Sequence, residues 1–127
     1  MIQSGTRLNV IDNSGAKSVS CIKVSKGYRR RYAFVGDVIT VSVKSLRSKR
    51  KSTSKVKKGD VIKALVVRTK TGKKDFSGKS LGFFENSVVL LTNQYKPIGS
   101  RIFGTLPKFF DFSKYLKVST ISSNTIN

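Results

Sequence analysis

Apolar and polar residues alternate along much of the chain with the two-residue period of β-strands. The segment Ile39–Lys44 alternates strictly, which predicts a strand with one buried face. Residues 8–11 and 19–24 are similarly rich in β-branched side chains, which favour strands. The segments Val61–Val67 and Val88–Leu91 are apolar almost without interruption, as expected of strands buried on both faces. The pattern therefore predicts a mainly β protein.

Turns rich in glycine, asparagine and aspartate separate these segments. The sequence Asp12–Gly15 predicts a tight turn, because Asn and Gly tolerate positive φ. The phrase Gly-Asp-Val-Ile occurs at residues 36–39 and again at 59–62, which indicates reused turn chemistry and not a repeat domain. Further glycines predict a hairpin or loop over residues 71–79. Short strands at this spacing predict a small closed barrel without exposed edges.

The carboxyl-terminal third of the chain has a different pattern. After Pro107, apolar residues between Lys108 and Leu116 recur at roughly helical spacing. Pro at a helix start and an acid such as Asp111 in an early turn are typical of helices, so we predict one or two short helices. Residues 119–127 have little apolar content, and we expect this tail to fray.

The charge of the chain is strongly unbalanced. Its 127 residues include 26 Lys and Arg, 6 Asp and Glu, and no His, for a net charge of +20. Small soluble domains typically carry a net charge of about 2–8. A much larger charge opposes compaction through self-repulsion, so we expect a polyanion as the partner.

The basic residues concentrate in three stretches between predicted strands. Residues 44–58 hold eight basic residues and no acid, which predicts phosphate contacts by an extended loop or projecting hairpin; a solvated, mobile loop is the alternative. In Lys26–Tyr32, two tyrosines flank three arginines. Arg binds phosphate bidentately and Tyr can stack on an unpaired base, although the tyrosines could simply pack on the barrel. A third group surrounds the turns of residues 68–79.

The predicted RNA-binding residues are Lys17, Lys23, Arg29, Arg30, Arg31, Lys44, Arg47, Lys49, Arg50, Lys51, Lys55, Lys57, Lys58, Arg68, Lys70, Lys73 and Lys74.

The composition argues against catalysis. The absence of His excludes His general bases and ligands, and a single cysteine, Cys21, excludes an intrachain disulfide and a Cys-rich zinc site. Cys21 lies in an apolar stretch, which favours a buried small side chain over a reactive thiol. The acids show no spacing typical of a carboxylate pair or magnesium site, and the glycines form no P-loop. We predict no enzyme activity, cofactor, metal site or small-molecule substrate.

The chain shows no membrane or export signal. Its longest apolar runs have four residues, which is too short to span a membrane. Residues 1–6 do not have a basic start followed by an apolar stretch, and so do not read as a secretory signal. We expect no membrane partner, and we expect the protein to act in the compartment where it is made, unless a presequence has been removed.

Several phrases together resemble one protein family. From Ala64, three aliphatic residues are followed by Ser77-Gly78, Phe83, Asn86 and Val89-Leu90. This spacing resembles the signature of the fourteenth protein of the large ribosomal subunit, in its bacterial and organellar type. Other similar phrases are Met1-Ile2-Gln3, Asp12-Asn13-Ser14-Gly15-Ala16, Cys21-Ile22-Lys23-Val24, Arg30-Arg31-Tyr32-Ala33, Val56-Lys57-Lys58-Gly59-Asp60, Val66-Val67-Arg68-Thr69-Lys70 and Pro97-Ile98-Gly99-Ser100-Arg101-Ile102-Phe103-Gly104. The resemblance covers residues 1–118, which we treat as one domain, with residues 119–127 as a tail.

The resemblance implies a five-stranded β-barrel with a projecting β-ribbon and small carboxyl-terminal helices. It implies a structural protein that binds large-subunit ribosomal RNA on the subunit-joining face, beside the third and nineteenth large-subunit proteins. It also implies contact with small-subunit ribosomal RNA in intersubunit bridges. Family members bind the ribosome silencing factor, and the matching positions here are Ser100, Arg101 and Lys117.

The chain departs from the family pattern in places. Residues 44–58 are longer and more basic than in typical bacterial members, which predicts extra RNA contact. Phe34 replaces a common Gly, and residues 75–81 differ from the usual phrase. A composition rich in Lys, Ser, Asn, Ile and Phe favours a ribosome of the mitochondrial matrix, with a plastid or a bacterial cytoplasm as alternatives. A free basic nucleic-acid-binding protein and an RNA-modifying enzyme are the alternative functions.

Overall fold

A computed structural model describes residues 1–50, 52–74, 76–108 and 115–126. Nine strands, one helix and a 3₁₀ turn at Ser48–Arg50 lie in these ranges. The elements are β1 (Arg7–Val10), β2 (Ala16–Val24), β3 (Val38–Leu46), β4 (Val61–Arg68), β5 (Lys73–Lys74), β6 (Ser80–Leu81), β7 (Ser87–Leu91), β8 (Ile102–Pro107), α1 (Leu116–Thr120) and β9 (Ser122–Ile126).

The five strands with the strongest apolar patterns form a closed barrel in the order β1-β2-β3-β4-β7. Neighbouring strands pair antiparallel, except that β1 and β7 pair parallel through Asn9 with Ser87 and Val10 with Val88. This parallel pair closes the barrel. The predicted closed five-stranded barrel is confirmed.

Two apolar clusters lie on opposite faces of β4 and β7. Ala64 and Val66 on β4, like Val88 and Leu90 on β7, face the barrel interior. The residues that alternate with these along each strand face outward, where they pack against β8 and α1 in a second cluster. That cluster contains Leu65, Val67, Val89, Leu91, Ile102, Leu106, Tyr115 and Val118. Since successive residues of a strand point to opposite faces, the uninterrupted apolar runs correspond to strands covered on both sides, as predicted.

The repeated Gly-Asp phrase forms the same turn twice. Gly36 and Gly59 both have φ of +91°, a conformation that L side chains rarely adopt. In each turn the aspartate Oδ2 accepts the backbone N–H three residues earlier, from Phe34 to Asp37 at 3.0 Å and from Lys57 to Asp60 at 2.8 Å. The interpretation as reused turn chemistry is confirmed.

The turn residue Asp12 and the single cysteine, Cys21, are both buried. Asp12 in the Asp12–Gly15 turn is fully buried, where its Oδ1 accepts from Ser14 N–H and its Oδ2 accepts from Leu90 N–H of β7 at 3.0 Å. The turn therefore also fastens the barrel closure. Cys21 is 2% exposed, and burial raises the pKa of its thiol, which suits an inert buried side chain.

The carboxyl-terminal region contains one short helix and an unexpected strand. The helix α1 spans five residues, whereas residues 109–114 of the predicted helical stretch lie outside the described residues. The tail expected to fray instead provides β9, which pairs parallel with β8. The unpaired backbone groups of β8 supply a ladder that a polar segment can join without apolar side chains. No helix among the described residues is long and apolar enough to cross a membrane.

Of the hairpin or loop predicted over residues 71–79, the structure shows a hairpin, the two-stranded β5–β6 ribbon.

Candidate nucleic-acid interface

The basic loop, residues 47–60 between β3 and β4, is held against the barrel over residues 55–59. Lys55 N–H donates to the carbonyl of Ser14 at 2.9 Å, and Gly59 N–H donates to the carbonyl of Val43 at 2.8 Å. Between them, Val56 is 3% exposed and joins the barrel core. Residues 55–59 are therefore a defined surface, and the exposed Lys57 and Lys58 have a fixed backbone beneath them. Lys49 is exposed near the start of the loop.

Other predicted cations near this loop make internal contacts or lie on a strand. The Arg47 guanidinium donates to the carbonyl of Val10 at 3.0 Å, and the Lys55 ammonium donates to the carbonyl of Ile98 at 3.2 Å. Lys44 is exposed on β3, not in the loop. Lys51 and the side chain of Arg50 lie outside the described residues.

A groove of about 740 Å³ lies between β1 and the start of the basic loop. Its charged lining residues are Lys17, Arg47, Lys49 and Glu85. Three cations against one acid favour an anionic occupant. Lys17 and Lys23 are both exposed on β2. Lys17 also lines the groove, which places it beside Arg47 and Lys49 of the basic loop.

The arginine loop, residues 26–34 between β2 and β3, is anchored on a single buried acid. Asp37 is 4% exposed and pairs with Lys26 Nζ at 3.0 Å and Arg30 Nη2 at 3.3 Å. Its Oδ2 also accepts Phe34 N–H. All three arginines of this loop are exposed, but Arg30 is tied to Asp37, whereas Arg29 and Arg31 are not paired with that acid.

The turn at residue 34 does not require the glycine that the family usually has at this position. The left-handed residues of the arginine loop are Gly27 and Arg29. The Arg30 guanidinium instead lies over the Phe34 ring, 5.9 Å from its centroid. The local turn is thus compatible with phenylalanine.

In the third group, Arg68 is directed into the protein. Its side chain is 11% exposed. Nε donates to the carbonyl of Thr105 and Nη2 to the carbonyl of Phe103, both at 2.9 Å. Nη1 pairs with Glu85 Oε1 at 3.2 Å. Arg68 therefore fastens β8 to the barrel. Lys70, Lys74 and Lys79 provide the exposed charge of this group, and the side chain of Lys73 lies outside the description.

Glu85 is part of the same network, which sequence reasoning did not identify. Its Oε2 accepts from Asn9 Nδ2 at 2.8 Å and its Oε1 from Ser87 Oγ at 2.9 Å. These hydrogen bonds, Asn9 foremost, and the Arg68 charge lower the pKa of Glu85. The local sequence carries no signal for this pairing, because the nearest basic residue in the chain, Lys79, is six positions away and only the fold brings Arg68 close.

The predicted protein-partner face is built on Asn13. Its Oδ1 accepts the backbone N–H groups of Ser100 at 2.8 Å and Arg101 at 3.2 Å, and its Nδ2 donates to Ser100 Oγ at 2.9 Å. A Cβ on Gly99 would lie 2.7 Å from Asn13 Oδ1, so this close approach requires glycine. Lys117 is exposed on α1.

One aromatic ring connects this face with the basic loop. The guanidinium groups of Arg101 and Arg47 lie 5.6 and 5.5 Å from the centroid of the Phe103 ring. Within the described ranges, no cluster of three or more His, Cys, Asp or Glu residues could hold a metal ion.

The comparison with known families agrees with this architecture. The model of the family "Ribosomal protein L14p/L23e" matches residues 1–126 of the 127. The match includes β9, beyond the stretch on which the resemblance was based. The chain therefore belongs to the ribosomal protein L14p/L23e family and is a structural constituent of the large ribosomal subunit.

Proposed function

We propose that the protein binds large-subunit ribosomal RNA through the exposed cations of the basic loop, the arginine loop and the β5–β6 region. The observation that carries this proposal is that the acids near these regions are bound within the protein while many of the basic side chains are exposed. Asp37, Asp60 and Glu85 all accept hydrogen bonds within the protein. Lys26 and Arg30 are paired with Asp37, whereas exposed cations such as Lys57, Lys58 and Lys70 form no salt bridge with a described acid and remain available to phosphates. Each phosphate neutralised releases counterions.

The remaining expected partners are part of the same proposal. They are small-subunit ribosomal RNA across an intersubunit bridge, the third and nineteenth large-subunit proteins, and the ribosome silencing factor. The exposed Ser100 and Arg101, held by Asn13, support a protein-binding face. We place this ribosome in the mitochondrial matrix on composition.

Charge reversal in the basic loop tests the RNA-binding proposal. We expect the triple variant Lys49→Glu, Lys57→Glu, Lys58→Glu to lose occupancy on the large-subunit peak in sedimentation at moderate salt, because repulsion replaces phosphate contacts. The control variant Arg7→Glu, Lys96→Glu, Lys108→Glu changes the net charge equally at exposed positions outside the predicted set. Equal occupancy of both variants would contradict the proposal. Unmodified protein sedimenting away from the subunit would favour a free nucleic-acid-binding protein.

A single reversal tests the silencing-factor face. We expect Arg101→Glu to abolish most capture of the factor while large-subunit occupancy is largely kept, since Arg101 is exposed and its backbone is held by Asn13 independently of the side chain. The measurement is a pull-down with the factor, with Lys96→Glu as the control. Undiminished capture by the Arg101 variant would contradict this assignment.

A further inference from the structure

The tip of the arginine loop presents an aromatic ring paired with a guanidinium group. Tyr28 is 88% exposed, far more than a tyrosine packed on the barrel would be. The Cζ atom of Arg29 lies 5.2 Å from the Tyr28 ring centroid, within the range of a cation–π contact. The two side chains thus form a pair at the surface while most of the ring faces solvent.

The backbone beneath this pair adopts an uncommon conformation. Arg29 has φ of +54°, in the left-handed region that few residues other than glycine occupy. Gly27 before it has φ of +81°. Left-handed conformations of this kind persist only where the surrounding structure fixes them, and they cluster at functional sites.

The surrounding contacts fix the base of the arginine loop, whereas Tyr28 and Arg29 at its tip take no part in the Asp37 salt bridges. Asp37 binds Lys26 on one side of the tip and Arg30 on the other. Arg30 Nε also donates to the carbonyl of Tyr32 at 3.2 Å. Beyond it, Ala33 exchanges two backbone hydrogen bonds with Ile2, at 2.7 and 2.9 Å. The loop is therefore closed below Tyr28 and Arg29.

We propose that Tyr28 and Arg29 form a preorganised stacking platform for one unpaired base of the ribosomal RNA. This inference rests on the proposed function and adds a base contact to phosphate binding. A phosphate site would need cations but no exposed ring, whereas an aromatic ring stacks on an unpaired base in a sequence-tolerant way. The exposed Arg31 beside the platform suits the phosphates that flank such a base. An apolar protein pocket fits poorly, because it would have to accept the neighbouring guanidinium groups.

The absence of tryptophan from the chain allows a direct test. Tyr28→Trp places the only tryptophan of that variant in the platform, and Tyr32→Trp places one in the same loop at a position that is 41% exposed. The probes are a short single-stranded RNA of mixed sequence and an RNA duplex of equal length. We expect the single strand to quench Tyr28→Trp at least about twofold more than the duplex does, with no such difference for Tyr32→Trp. Equal quenching of Tyr28→Trp by both probes would overturn the proposal.

Affinity for the large-subunit ribosomal RNA gives a second, independent result. We expect Tyr28→Ala to weaken binding about tenfold, which is the loss of one stacked base, and Tyr28→Phe to bind like the unmodified chain. The salt dependence should be unchanged in both, since no charge is removed. Unchanged RNA affinity of Tyr28→Ala would overturn the platform and leave the proposed RNA binding intact. This would hold even if that variant no longer bound a neighbouring protein. No binding by the unmodified chain would overturn the proposed function itself.

Discussion

At the scale of single residues, basic side chains serve two different roles that the sequence does not distinguish. Lys57 and Lys58 are exposed, as expected of RNA contacts. Arg68 has the same formal charge, but its guanidinium donates hydrogen bonds to backbone carbonyls 35 and 37 residues further along the chain. Sequence reasoning detects the charge because it is local. It does not detect such acceptors, because only the fold brings them close.

A glycine substitution measures what Arg68 contributes. Gly104 has φ of +80°, and a Cβ there would overlap the Arg68 guanidinium. We expect Gly104→Ala to lower the free energy of unfolding by about 1–2 kcal/mol for the left-handed alanine, and by roughly 1–3 kcal/mol more for the displaced hydrogen bonds. Gly59→Ala is the matched control, since its φ is +91° and its Cβ meets nothing within 4 Å. Urea denaturation compares the two variants, and equal losses would contradict the role of Arg68.

At the scale of elements, apolar patterning predicted the barrel strands but not β9. Because both faces of β4 and β7 are apolar, these strands are marked in the sequence by dense apolar runs. The segment Ser122–Ile126 is largely polar and exposed, so no periodicity marks it. Its strand conformation comes from pairing with the backbone of β8, which is a property of the fold and not of local sequence. The same holds for the arginine loop, whose composition was visible but whose Asp37 anchor was not.

Truncation after Ile121 tests the contribution of β9. We expect amide hydrogen exchange in β8 to accelerate, because β9 pairs with this strand and Ser123 Oγ donates to the carbonyl of Gly104 at 3.0 Å. Exchange in β2 and β3 serves as the internal control and should stay unchanged, since both lie in the closed barrel. Unaltered exchange of β8 amides in the truncated chain would show that β9 does not stabilise it.

At the scale of the whole molecule, the net charge of +20 acts on folding and on binding in opposite directions. The acids that could offset it are few, and three of them are bonded internally beside basic loops. Repulsion among exposed cations therefore opposes the compact state of the free chain. The same cations favour the complex with a polyanion.

Salt should separate these two effects. Because ions screen repulsion between exposed charges, we expect the urea midpoint of the free chain to rise as KCl is raised from about 50 to about 200 mM. Over the same range its affinity for ribosomal RNA should fall by about tenfold or more, through counterion release. Circular dichroism gives the first quantity and filter binding the second. A urea midpoint that fell with added salt would contradict the repulsion argument.

The parallel pairing of β1 with β7 also has a consequence for the order of folding. A chain growing from its amino terminus can pair β1, β2, β3 and β4 in sequence, because each meets its predecessor in the chain. Closure must wait for Ser87–Leu91, and with them for the Leu90 amide that Asp12 binds. Until then the nascent protein is an open, curled sheet with two unpaired edges, the form most prone to pair with other chains. Synthesis of β7 thus ends the interval in which this protein is most exposed to misassembly.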